Sequence, residues 1–85
     1  MKEYEITFAR SGDVFRGAPE EVVRSLRVSS QFESDISDKA YMRHFARRHN
    51  RFVGGERVLA SSPTKFLISL GLSELISRFV ISERE

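Results

Sequence analysis

The sequence predicts an α+β fold: an N-terminal β-hairpin packed on three helices, with an additional strand or helix at the C-terminus. Two patterns carry most of that expectation. Tyr4, Ile6 and Phe8 alternate with Glu3, Glu5 and Thr7, the period-2 signature of a half-buried strand. After Pro19 the apolar residues recur at helical spacing instead, in blocks separated by Gly54-Gly55, Ser62-Pro63 and Gly71. Bulk composition agrees. At 85 residues, with 40% hydrophobic and 31% charged residues, the chain suits one globular domain over residues 1–85 and is too short for an enzyme with its own cofactor domain. Ordering a residue costs roughly 1.5 kcal/mol, and seven Phe and two Tyr supply the bulk of one small core to offset it.

The elements follow in order. The hairpin turns at Ser11-Gly12, where Gly supplies a positive φ. A two-residue turn there sets Phe8 opposite Phe15 on the core face and Ala9 opposite Val14 on the other; a slip by one residue would expose Phe15. Gly17-Ala18-Pro19-Glu20-Glu21 opens the first helix, with Pro at the first helical position and two carboxylates at the positive end of the dipole. Ala18 is a poor cap. Val22, Val23 and Leu26 form the inward stripe, and residues 29–36 read as a polar loop anchored by Phe32.

Ser37 caps the second helix, with Ile36 and Tyr41 placed as a hydrophobic staple. That helix runs to Val53 and stops at Gly54. Residues 56–60 form a short extended segment. Ser62-Pro63 caps a third helix through Leu70, and Gly71 ends it in the left-handed conformation, with Leu72 folding back on Leu67. Leu75, Ile76, Phe79 and Val80 keep a helical period, which tips this stretch towards helix. The same residues are β-branched and aromatic enough for a strand, which would complete an otherwise marginal two-stranded sheet. Residues 82–85 are expected to fray. The predicted core is Ile6, Phe8, Phe15, Val22, Val23, Leu26, Tyr41, Phe45, Phe52, Phe66, Leu67, Leu70 and Phe79.

Several chemistries are excluded. The chain has no Cys, which removes disulfide scaffolds, thiol catalysis, iron–sulfur clusters and Cys-based zinc sites. The first ten residues carry charges among their apolar residues and lack the apolar region of a secretory signal. No apolar run approaches the roughly 20 residues that span a bilayer, so a cytoplasmic location without membrane contact is expected. There is no G-x-S-x-G nucleophile motif and no glycine-rich phosphate loop. Ser62-Pro63-Thr64-Lys65 resembles a short minor-groove motif, but a capped helix start explains it. Gly54-Gly55 lies at the wrong pole of a helix for phosphate. His44 and His49 are five residues apart, or about 140° around a helix, so they do not form a metal-binding pair on one face. His49 is expected to be substantially buried and bonded to backbone or a carboxylate, and His44 exposed. No catalytic residue, metal or cofactor is expected.

Charge supplies the functional hint. The net charge is only +2, yet residues 1–38 hold five Lys/Arg against eight Asp/Glu, residues 39–57 hold six against one, and residues 58–85 are balanced. Within the second helix, at about 100° per residue, Tyr41, Phe52, Phe45, His49, Met42, Val53 and Ala46 fall in an arc of about 140°. Lys39, Arg43, His44, Arg47, Arg48 and Arg51 occupy the remainder and are the candidate binding residues. Guanidinium groups bind carboxylate or phosphate bidentately. The expected function is therefore a small non-catalytic binding or regulatory module presenting this face, residues 39–52, to an acidic partner protein. The alternative is nucleic-acid binding by the same face, and the bland reading is a merely solvated surface. A helix-turn-helix does not fit, because the connection after this helix exceeds the usual 3–4 residues and the basic helix comes first.

Overall fold

The computed structural model describes residues 2–30, 33–52 and 57–83. The elements are β1 (Lys2–Phe8), β2 (Val14–Gly17), α1 (Pro19–Ser29), α2 (Asp38–Phe52), α3 (Pro63–Gly71) and β3 (Ile76–Glu83). The strands form one antiparallel sheet in the order β2-β1-β3. The N-terminal hairpin packs on three helices, as the patterning predicts, and the C-terminal segment is a strand.

The central strand is β1. Its even-numbered side chains Tyr4 and Ile6 are buried, and Phe8 and Phe15 pack against the same core. The hairpin register differs from the expected one by two residues, with Ile6 opposite Phe15 and Thr7 opposite Val14. The connection is longer than a two-residue turn: the Phe8 N–H donates to the Asp13 carbonyl at 2.9 Å, and the Gly12 N–H donates to the Phe8 carbonyl at 2.9 Å. Gly12 has φ +76°, the positive value the turn requires. Because side chains alternate with period 2, a shift by two keeps every side chain on its face. The rings of Phe8 and Phe15 therefore still meet edge-on, at 5.8 Å between centroids, as diagonal rather than directly opposed neighbours.

The first helix starts at Pro19 with Ala18 as its cap residue. The cap side chain can accept nothing, and the Glu21 carboxylate compensates by accepting the Ala18 N–H at 3.0 Å, the acidic half of a capping box. Val22, Val23 and Leu26 are buried. The third helix starts as expected, with the Ser62 hydroxyl accepting the Lys65 N–H at 3.2 Å.

Its end does not follow the expectation. Gly71 lies within α3, and positive φ occurs only at Gly12 and Gly17 among the described glycines. Leu72 is the cap residue, with φ −85° and ψ −5°, and it is exposed rather than folded back on Leu67. Nor does one continuous helix run on from residue 63: the Ser73 hydroxyl donates to the Leu70 carbonyl at 2.6 Å, closing the helix before β3 begins. Glycine is needed at position 71 for space. A Cβ there would stand 2.6 Å from Cδ2 and 2.7 Å from Cγ of Phe79, closer than any real contact.

The helical reading of the C-terminal stretch is overturned by β3, and a bulge explains why the period misled. Thr7 pairs with Arg78 but Phe8 pairs with Ile76, leaving Ser77 as an extra residue. The insertion carries Ile76 and Phe79, three positions apart, onto the same core-facing side, where both pack on the core. A bulged strand thus imitates the spacing of a helix. Residues 82 and 83 pair with Glu3 and Lys2 instead of fraying; residues 84 and 85 lie outside the described residues.

Buried apolar residues beyond the predicted list are Tyr4, Met42, Ala46 and Val58. The expected helix stop at Val53 and Gly54 and the Phe32 anchor lie outside the described residues, as does the side chain of Phe52. Residues 57–60 have no strand partner among the described residues. No described helix is long and apolar enough to cross a membrane.

Gly71→Ala tests the close approach. Alanine gains helix propensity of about 1 kcal/mol over glycine, so a negative-φ glycine with free space would be stabilised by the change. Overpacking against Phe79 should instead lower stability by about 1–3 kcal/mol in urea unfolding. The loss should shrink in a Phe79→Leu background.

Candidate functional site

The second helix is seated from its first turn. The Ser37 hydroxyl accepts the Ala40 N–H at 3.1 Å, as a cap residue should. Asp38, next in sequence, binds Arg27 of α1 through Nε at 2.7 Å and lies 3.8 Å from Nε of Arg24. Along the helix Tyr41, Met42 and Ala46 are buried, Phe45 and His49 are half-buried, and Lys39, Arg43, His44, Arg47, Arg48 and Arg51 are exposed. The rings of Tyr41 and Phe45 lie 6.4 and 5.5 Å from that of Phe66 in α3. The predicted apolar arc is thus the packed one at Tyr41, Met42, Phe45, Ala46 and His49, and all six candidate residues stand on the outer side.

The structure divides those six. Glu33, only 8% exposed, lies at one border of the basic face. Its Oε1 is 2.6 Å from Nη1 of Arg48 and its Oε2 is 3.2 Å from Nδ1 of His44. Lys39, Arg43, Arg47 and Arg51 have no carboxylate within ion-pair distance among the described residues. They recur every four residues, so their charges line one ridge about 18 Å long. Like charges at this spacing cost a helix a few tenths of a kcal/mol per pair.

Near the other border Asn50 performs a second fixation. Its side-chain amide donates to the Val58 carbonyl at 3.0 Å, and its Oδ1 accepts the Val58 N–H at 2.9 Å. One side chain thus satisfies both backbone groups of Val58, a buried residue, as a neighbouring strand would.

Sequence reasoning missed Glu33, Asn50 and Val58. Glu33 reads locally as part of a polar loop, and only the tertiary contact to a residue fifteen positions later distinguishes it. The histidines follow the expected order but not in full degree. His44 is exposed and His49 half-buried, and among the described residues His49 has an aromatic partner and not the expected backbone or carboxylate one: its ring stacks on Phe45 at 6.3 Å and 22°. Among the described residues no group of three or more His, Asp or Glu could hold a metal ion.

Glu33 also acts on Tyr41. Burial, reinforced by the Glu33 carboxylate and opposed by Arg48, pushes the Tyr41 phenol from 10.0 up to about 12. Comparison with models of known protein families, with curated proteins and with solved structures found no match.

Two outcomes check the arrangement. Glu33→Gln removes the charge that Arg48 and His44 surround, and should lower stability by about 1–2 kcal/mol in urea unfolding, the low end for charged hydrogen bonds because the Arg48 guanidinium is partly solvated. The phenol gives a second. Between pH 10 and about 12 the unfolded chain has lost a Tyr41 proton that the folded protein keeps. Stability therefore falls as pH rises through that window. Tyr41→Phe should remove this part of the alkaline slope, seen as a flatter urea midpoint against pH.

Proposed function

We propose that the protein is a non-catalytic binding module that presents the basic ridge of α2 to an acidic partner protein. The observation that carries this reading is the contrast between the two halves of the basic face. Arg48 and His44 are tied to Glu33, while Lys39, Arg43, Arg47 and Arg51 stand exposed with no carboxylate partner among the described residues. Among the described residues nothing compensates their mutual repulsion, and an anionic partner would.

Protein is favoured over single-stranded nucleic acid by where the rings are. Stacking on exposed aromatics is the usual basis of single-strand binding. Here Tyr4, Phe8, Phe15 and Phe79 all pack on the core.

Changing Arg47 and Arg51 together to Glu should leave the melting temperature nearly unchanged and abolish capture of the partner from a cell lysate. A double variant that unfolds, or one that still captures the same partner, defeats the proposal. Titration with a short DNA or RNA duplex at two salt concentrations separates the phosphate reading. Four phosphate contacts would give a slope of log affinity against log salt of about −3 to −4, and duplex binding with that slope would put nucleic acid in place of the protein partner.

A further inference from the structure

A second surface, away from the ridge, has the features of a ligand site. Between residues 57–59 and the outer side of α3 lies an open groove of about 370 Å³, lined by Arg57, Leu59, Lys65, Ile68, Ser69 and Leu72. That volume is at the small end of ligand-sized cavities. Three of its lining residues are large and apolar and remain 49%, 41% and 69% exposed at Leu59, Ile68 and Leu72. The inward stripe of α3 is Phe66, Leu67 and Leu70, all fully buried. Ile68 and Leu72, four residues apart, give the same helix a second apolar stripe facing outward. A helix apolar on both sides is normally covered on both, and no described residue covers this one.

The opposite wall is held rigidly. Asn50 fixes Val58 through both backbone groups. The Leu59 N–H donates to the Ser69 hydroxyl at 2.9 Å, which itself donates to the Lys65 carbonyl at 2.8 Å. With Val58 turned into the core, Leu59 is forced outward and cannot collapse inward. The groove is therefore formed before any ligand arrives, which lowers the ordering cost of binding. Its rim is positive: Arg57 and Lys65 are exposed, with no carboxylate within ion-pair distance among the described residues.

We propose that this groove is a docking site for an acidic peptide segment of a partner, which inserts one large apolar side chain between Leu59, Ile68 and Leu72 and sets flanking carboxylates on Arg57 and Lys65. A nucleic-acid backbone would satisfy the cations but leave the apolar floor in water. An uncharged apolar peptide would waste the rim. The site stands on its own residues and does not depend on the ridge of α2.

The probe is a fluorescent peptide in which Glu residues flank a single Phe, compared with a counterpart carrying Ala in place of that Phe and another carrying Lys in place of the Glu. The Glu/Phe peptide should bind the wild-type protein, and each counterpart at least tenfold more weakly by fluorescence anisotropy. Amide chemical-shift changes should centre on residues 57–72. A variant with Ile68→Ser and Leu72→Ser should keep its melting temperature and lose at least tenfold in affinity, whereas Arg47→Glu with Arg51→Glu should bind the peptide as before. That last variant separates the two surfaces. If it abolishes peptide binding while the Ser variant retains it, the peptide sits on the ridge and the groove assignment falls. Should the Ser variant not fold, the Phe and Ala peptides and the shift map decide on the wild-type protein alone. Equal affinity for those two peptides, or no binding of either, overturns the proposal. So does a response to decanoate with none to the peptide, or a concentration-dependent dimer whose interface maps to the groove.

Discussion

The ring of Phe66, buried without exposure, meets two rings of α2 edge-on, Tyr41 at 6.4 Å and Phe45 at 5.5 Å. Burying a side chain of this size contributes roughly 1.5–3 kcal/mol, and edge-to-face contacts add about 0.5–1.5 kcal/mol. The contact fixes the rotation of α2 about its own axis. With Tyr41 and Phe45 held inward, the 3.6-residue repeat leaves Arg43, Arg47 and Arg51 no place but solvent. A rotation of half a turn would bury arginines and expose aromatics, and both changes are costly. The surface proposed to bind is thus a consequence of how the core is packed.

Two side chains from either border keep that orientation. Glu33 holds Arg48 and His44, and Asn50 holds Val58. Other carboxylates of the acidic N-terminal part are committed elsewhere. Glu5 binds Arg16 across the hairpin, Asp38 binds Arg27, and Glu21 completes the start of α1. Electrostatic compensation is therefore local to the hairpin, the first helix and one border of α2. Among the described residues the centre of the ridge is left with its charge, although the whole chain is nearly neutral at +2.

The sheet imposes its own condition on α3. Phe79 lies opposite Ile6 in the register of β3 on β1 and its ring meets Tyr4 at 6.1 Å. The same ring lies so close to Gly71 that no side chain fits. Seating the strand against the helix in this way buries Phe66, Leu67 and Leu70 and turns Ile68 and Leu72 out. The apolar groove beside Leu59 follows from the same packing that closes the core.

The chain by itself determined the hairpin face, the helix starts and the amphipathicity of α2. Each depends on residues within a few positions of one another: alternation at Tyr4, Ile6 and Phe8, Pro after a cap at Ala18 and Ser62, and the 3.6-residue repeat from Lys39 to Arg51. What it left open or led astray involves partners far apart. The strand character of residues 76–83 depends on the free edge of β1, and a bulge at Ser77 disguised it as a helical repeat. Gly71 carries the local signature of a helix stop, yet its reason is the Phe79 ring. Which arginines are free depends on Glu33, and whether Leu59 faces out depends on Asn50 and Ser69. A side-chain period reports which face of an element is apolar. It carries no record of which distant residue meets that face, so ion pairs, close approaches and grooves are decided only when the elements pack.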